Sequence, residues 1–295
     1  MQAKYYKPSG RISPVFLLLF FVFMLIAIPV LSVAYIYAIY YIPIIYVSVL
    51  IAIACGALLG VLIMFSAKWG KNRNKVVVVL LTILAVVLLK YTQWCVYIPL
   101  VYSEIYHDYF ATFTERLFLS LDYFISPTQV LAGALDINEY GVWSVGSSDV
   151  VTGVPLLVVW VLEFLVFLVC AVVAASFTDT TPFSEKSNAW YKESKDEIVA
   201  GAPANPDTFK AGLAAGDFRE LVHLVQQGVI DEPHYLGISV FDPPPSKYVQ
   251  PYYLTITDIT IGYDKSGKAN YKRKPLFTHI AVDPSTAAAL RQPPV

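Results

Sequence analysis

Two ionisable side chains stand where the sequence is otherwise apolar. Glu163 interrupts VVWVLEFLVFLVC, residues Val158 to Cys170, and Lys90 closes the run VVVVLLTILAVVLLK that begins at Val76. A charge at the centre of a bilayer costs roughly 3 kcal/mol or more, so such residues are paired, protonated or turned toward a polar path. A carboxylate and an ammonium group can neutralise one another or exchange a proton. Thr92 and Gln93 follow Lys90 closely and offer hydrogen-bonding neighbours. Whether the two charges meet depends on the elements that carry them.

Composition sets the class of those elements. The 295 residues are 57% hydrophobic and 15% charged, with a mean hydropathy of +0.58, which is the balance of a membrane protein. Apolar residues concentrate before Phe177, and the remainder is of ordinary polarity, so the chain divides into a membrane part and a soluble domain. The formal net charge of −1 argues against a nucleic-acid partner, which needs a basic excess or patch. Cys55, Cys95 and Cys170 all lie in apolar runs and have neither metal-ligand nor disulfide-framework spacing.

Four stretches reach the roughly 20 residues needed to cross ~30 Å of hydrocarbon. They run over residues 14–40, 43–67, 76–101 and 154–177. The first two form a hairpin through Tyr40-Tyr41-Ile42-Pro43, among tyrosines of the kind enriched at headgroups. The first apolar run continues past the small residues Ser32-Val33-Ala34, so it reads as an uncleaved helix and not a signal peptide. Lys4, Lys7 and Arg11 precede the first span, and Lys68, Lys71, Arg73 and Lys75 lie between the second and third. Residues 102–153, by contrast, hold one basic residue, Arg116, against seven acidic ones. The positive-inside rule then places both termini in the cytoplasm and 102–153 outside. Absence of an Asn-x-Ser/Thr triplet favours a bacterial inner membrane.

This topology brings the two charges to similar depth. Lys90 lies 14 residues into its helix from Val76 and Glu163 nine residues from Val154, which places them ~9 Å and ~14 Å below the outer surface at ~1.5 Å per residue. We therefore expect Lys90 and Glu163 to pair inside the bundle. The competing readings are a snorkelling lysine beside an independent glutamate and a pair that moves protons or ions. In the second span Ala52, Gly56 and Gly60 recur every four residues. Such a small-residue face permits close helix packing, within the chain first and in a homo-oligomer second. Pro29 lies inside the first span, where it removes one helical hydrogen bond.

Outside the spans, the stretch Tyr109 to Ile125 reads as an amphipathic helix that ends at Ser126-Pro127. Glu104, His107 and Asp108 have metal-ligand chemistry, but without a second cluster they read as solvated side chains and no metal is assigned. Residues 178–204 look like a juxtamembrane linker containing a short helix, with Trp190 and Tyr191 against the headgroups. Residues 205–295 read as a cytoplasmic α+β domain. A helix, or two shorter ones, fits Asp207 to Gln227, and strands fit YLGISVFD, YYLTITDITIGYD and KPLFTHIAVD. The basic run Tyr271-Lys272-Arg273-Lys274 carries three charges, below the four to eight of a lipid-binding cluster.

His223, His234 and His279 are dispersed, and no P-loop, Gly-x-Ser-x-Gly or HExxH motif occurs, so no catalytic residue and no cofactor is assigned. The expected role is a membrane scaffold or adaptor whose cytoplasmic domain binds a protein partner, through a sheet edge or the proline stretch Asp242 to Ser246. A small transporter or channel component using Lys90 and Glu163 is the alternative, and a membrane-bound enzyme ranks last.

Overall fold

The structure, a computed structural model, describes residues 3–42, 44–105, 112–141, 150–177, 181–194, 198–228, 233–263 and 268–292. It divides into two compact units, Gly10–Asp179 and a second made of Met1–Ser9 together with Thr180–Val295.

In the first unit, four helices are long and apolar enough to cross a membrane: α1 (Pro14–Tyr41), α2 (Ile45–Trp69), α3 (Lys75–Ile105) and α6 (Gly153–Ser176). They share a core that includes Phe16, Leu59, Ile63, Leu89 and Phe167, while Leu25, Leu50, Leu80, Leu162 and Val173 stand outward. Outward leucines on every helix form a surface suited to lipid and unsuited to water. Helices α2 and α6 approach closely. A Cβ added to Gly60 would lie 2.3 Å from the Ala171 carbonyl oxygen, and one added to Gly56 2.9 Å from that of Phe167. Ala52 is buried on the same stripe. These residues allow backbone to meet backbone, which is how small residues join apolar helices when lipid offers no hydrophobic drive.

Two shorter helices lie between α3 and α6. The first, α4 (Phe113–Phe124), begins with a capping box: the Thr112 hydroxyl accepts from Glu115 N–H while the Glu115 carboxylate accepts from Thr112 N–H. Phe113, Leu117, Leu121 and Phe124 on this helix are exposed; Tyr109 and Phe110 of the expected helix lie outside the described residues. The second, α5 (Pro127–Tyr140), has no counterpart in the expectations from sequence. Ser126-Pro127 ends one helix and starts the next, because proline's fixed φ and missing N–H suit the first helical position. Gly133 of α5 packs on Ile98 of α3.

The second unit is an α+β fold. Its sheet is antiparallel: β3 (Lys192–Glu193) and β4 (Ile198–Gly201) both pair with β5 (His234–Asp242), followed by β6 (Tyr252–Tyr263) and β7 (Ala269–Val282). A separate two-stranded pair joins β1 (Phe183–Ser184) to β2 (Ala189–Trp190). Phe183 to Gly201, expected as linker with a short helix, therefore carries four strands. Tyr191, expected at headgroups, is buried against the Tyr253 ring. The expected helical stretch is α7 (Pro206–Ala215) and α8 (Arg219–Gln227), separated at Gly216, whose φ of 83° only glycine adopts freely. Phe209, Leu213, Leu221 and Val225 of these helices pack on Leu236, Ile238, Val240 and Ile256 of the sheet. A final helix, α9 (Pro284–Leu290), is capped by Asp283.

The N-terminal arm completes this unit. Tyr5 bridges Ile280, Tyr6 N–H donates to the His279 carbonyl at 3.0 Å, and Ala281 N–H donates to the Lys4 carbonyl at 2.7 Å. The arm thus acts as an extra strand beside the inner end of β7. His279 sits under it, buried, with its ring edge-on to Tyr6 and Phe241. Desolvation holds the His279 pKa below its ordinary value, with Glu193 opposing weakly.

Two predictions follow from these contacts. Substituting Gly60→Leu should destabilise the detergent-solubilised protein by about 2 kcal/mol or more, since the wedge meets backbone and cannot relax. Leu58→Ala on the outward face should stay within about 0.5 kcal/mol; equal thermal-shift effects would contradict the α2–α6 contact. For His279, the unfolded state binds the proton more readily than the folded one, so stability should fall as pH drops below about 6.5. Between about pH 7 and about pH 5 the wild-type unfolding temperature should fall more steeply than that of His279→Asn, a residue that tolerates the local φ of 52°. Parallel pH profiles would rule out this linkage.

Candidate functional site

Lys90 projects from α3 and Glu163 from α6, and their Nζ and Oε1 atoms are 3.0 Å apart. The side chains are only 15% and 23% exposed. A third group joins them from α1: the Tyr35 hydroxyl donates to the same Glu163 oxygen. Tyr35 and Phe167 stack edge to face at 5.0 Å, and the Lys90 ammonium lies 5.1 Å from the Phe167 ring centroid and 5.8 Å from that of Tyr35. Phe167 follows Glu163 by one turn of α6, so one face of that helix supplies both the carboxylate and an aromatic wall. Three of the four long apolar helices, α1, α3 and α6, therefore contribute to one polar cluster.

The arrangement has a clear electrostatic logic. One cation and one anion cancel, the phenol satisfies a further carboxylate lone pair, and the aromatic faces accept the ammonium through their quadrupoles. In a low-dielectric interior this mutual satisfaction is what makes the charges tolerable, because an uncompensated partner costs about 3–5 kcal/mol. Ser32, one turn from Tyr35, donates to the Leu89 carbonyl at 3.4 Å and fastens α1 to α3 just beside the pair.

The expected neighbours behave differently. The Thr92 hydroxyl turns back to the Leu88 carbonyl of its own helix. Gln93 is 1% exposed, and both polar atoms of its amide lack a hydrogen-bond partner among the described residues. Tyr35 takes the place expected for them, and depth counting puts it at the level of the pair. It lies six residues before the end of α1, or ~9 Å at ~1.5 Å per residue, close to the depth derived for Lys90.

The remaining candidates separate by location. Gly56 and Gly60 face α6, and Ala52 is buried. The side chains of Glu104, His107 and Asp108 lie outside the described residues. In the second unit His234 Nε2 bonds Asp258 Oδ1 between neighbouring strands, a part-buried pair.

Comparison with known protein families, characterised proteins and solved structures finds no match. Function must therefore be argued from the geometry.

The cluster predicts strong coupling. Glu163→Gln and Lys90→Met should each lower stability in detergent by about 3 kcal/mol, while the double variant should recover much of the loss. Tyr35→Phe should cost about 1–2 kcal/mol through one lost donor. Additive effects in the Lys90/Glu163 cycle would show that the two charges do not support one another.

Proposed function

We propose that the chain is an integral membrane scaffold: four helices cross the bilayer, both termini lie in the cytoplasm, and the α+β unit presents a binding surface to a protein partner. Pairing of the N-terminal arm with β7 supports the shared side of the two ends, since the arm precedes α1 and β7 follows α6. Four crossings require the same result. The basic flanks of the helices support the cytoplasmic side, and a bacterial inner membrane is the location we favour.

The observation that carries the scaffold reading is the connection between β5 and β6. Its prolines, Pro243 to Pro245, precede Tyr248 and Val249, and Val249 is 88% exposed. An exposed aromatic and aliphatic pair is usually mobile, but this loop is braced at both ends. Arg291 binds Asp242 at its start. At its end the Tyr191 hydroxyl donates to the Pro251 carbonyl at 3.2 Å, and the Gln250 amide donates to Ser187 at 3.1 Å. Lys186 lies over the Tyr248 ring. A rigid loop displaying apolar side chains avoids much of the ordering entropy that binding would otherwise require.

A second reading draws on Gln93. An unpartnered amide one helical turn from Lys90 is a place for an internal water, which would extend the polar cluster toward a proton or ion path.

One pair of variants separates the readings. A photo-crosslinker at Val249 in the full-length, membrane-embedded protein should capture one discrete protein. Capture should fall at least about tenfold with Tyr248→Ala, as expected for an aromatic anchor worth ~1.4 kcal/mol or more. Glu163→Gln should leave capture unchanged. If that substitution instead abolishes an ion or proton flux in reconstituted vesicles while Tyr248→Ala changes nothing, the transport reading replaces the scaffold.

A further inference from the structure

The turn between α4 and α5 sits low against α3. The Tyr91 hydroxyl donates to the Phe124 carbonyl at 2.8 Å and to that of Tyr123 at 3.4 Å, and the Tyr91 and Phe124 ring centroids are 5.6 Å apart. Tyr91 follows Lys90 directly, so the end of α4 reaches the level of the ion pair. A long side chain on a helix leans toward the helix N-terminus. On α3 that is the end remote from α4, so the turn lies at least as deep as the Tyr91 backbone. From there α5 climbs beside α3. Val130 shares a buried cluster with Cys95 and Ile98, Gly133 packs on Ile98, and the Tyr102 hydroxyl donates to Asp136 at 3.0 Å. The climb ends where the Asn138 amide donates to the Gly153 carbonyl at 2.9 Å, at the start of α6. The other arm begins near the same end of α1, with the Phe113 ring 5.5 Å from that of Tyr37.

Depth and composition agree. The stretch of α3 from Tyr91 to Tyr102 rises ~16 Å at ~1.5 Å per residue. On the count that puts Lys90 ~9 Å below the hydrocarbon surface, the turn is inside the bilayer. Residues 123–135 contain no charged side chain, and Asp122 and Asp136 bracket them. Asp136 is bonded to Tyr102 near the outer end of α3, and Asp122 stands one turn of α4 nearer the surface than Ile125, where the cost of a carboxylate falls away. The irregular backbone is also provided for. The Tyr123 carbonyl accepts from Ser126 N–H at 3.0 Å, the Ser126 carbonyl from Gln129 N–H at 3.0 Å, and the Phe124 carbonyl from Tyr91. Pro127 has no N–H to leave unpaired. Non-helical backbone at membrane depth needs such partners.

The face of α3 that carries the hairpin decides what surrounds it. Leu84, Val87, Leu88 and Tyr91 recur at i, i+3, i+4 and i+7, so they share one side of the helix. Leu84, Val87 and Leu88 are exposed on that side, and the hairpin stands directly above them. It thus occupies the space that acyl chains occupy lower on the same helix. Its own outward side continues that surface with Phe118, Leu121, Ile125, Leu131 and Leu135, and Ile125 at the turn is 78% exposed. An apolar patch of this extent suits lipid and not water.

We propose that α4 and α5 form a re-entrant hairpin, which enters the bilayer from the side opposite the two termini and buries its outward face among the acyl chains of that leaflet. The inference rests on the four-helix membrane reading and is independent of what the Tyr248–Val249 loop binds.

Spin labels on the full-length protein in phosphatidylcholine vesicles test it, read by collision with oxygen, which concentrates in hydrocarbon, and with a nickel chelate, which stays in water. Single cysteines replace Ile125, Phe118, Tyr140 and Leu162 in a Cys170→Ala background. Cys55 and Cys95 are buried, and any labelling of that background is subtracted. Leu162 adjoins Glu163 and is 57% exposed, so it reports acyl chains at the level of the ion pair; Tyr140 reports the outer end of α5. The oxygen-to-nickel ratio at Ile125→Cys should fall within about twofold of that at Leu162→Cys and exceed that at Tyr140→Cys by at least about fivefold. Phe118→Cys, on the same outward side, should also exceed Tyr140→Cys and gives a second reading should the Ile125 variant fail to fold. Ratios at Ile125 and Phe118 as low as at Tyr140, with Leu162 in lipid, would overturn the hairpin and leave the four spans standing. A low ratio at Leu162 as well would overturn the membrane reading together with it. Weak collision with both reagents at Ile125 would mean that protein, such as a second copy of the chain, covers the turn, and would overturn the proposal too.

Discussion

A cation and an anion among leucine, valine and phenylalanine side chains are tolerable only if each neutralises the other. That constraint organises the helical unit. Lys90 comes from α3, Glu163 from α6 and the phenol that completes the carboxylate's bonding from α1. Three helices must therefore hold fixed rotation and depth for one ion pair to be satisfied. Replacement of all three groups by apolar residues of similar volume could leave the bundle as stable, as buried ion pairs often contribute little net stability. Their consequence is register: any slide of α6 by a turn strands a charge in hydrocarbon.

Close packing supplies the complementary restraint. The Ala52, Gly56 and Gly60 stripe brings α2 against α6 at backbone distance, while Ser32 fastens α1 to α3 one turn from Tyr35. Apolar packing alone leaves helices free to adopt several near-equivalent rotations in lipid. Polar groups at a single level and small residues along a single face remove that freedom by different physics, one electrostatic and one steric.

In the second unit, the two ends of the chain are built into one sheet. The arm before α1 covers the inner edge of β7, whereas the outer edge is left to Lys272, Arg273, Lys274 and Pro275. Both treatments solve the same problem, the unpaired backbone groups of an edge strand. The inner part is paired by the chain itself, and the outer part is guarded by charge. His279 lies beneath the arm at a positive φ with its ring enclosed by Tyr6 and Phe241, so the closure of the sheet is tied to a titratable group.

Much of this was legible in the amino-acid order because lipid-compatible helices are written in local composition. Twenty or more apolar residues in a row specify a helix able to cross a membrane, whatever surrounds them. Depth along such helices is a matter of counting, so Lys90 and Glu163 could be matched without coordinates. Strands β5, β6 and β7 were readable from β-branched and aromatic alternation. What local order could not specify were elements whose stability comes from distant partners. Strands β1 to β4 are too short for periodicity to register; β3 and β4 exist because β5 supplies their hydrogen bonds, while β1 and β2 pair with each other. The N-terminal arm reads as a basic flank until β7 is there to pair with it. Tyr35 sits among interfacial tyrosines in sequence, and only helix rotation turns it, and not Tyr37 or Tyr40, toward Glu163. The sequence by itself determined which segments are helical and apolar and at what depth their charges lie; tertiary structure alone decided which side chains meet, because rotation and strand pairing depend on contacts between residues far apart in the chain.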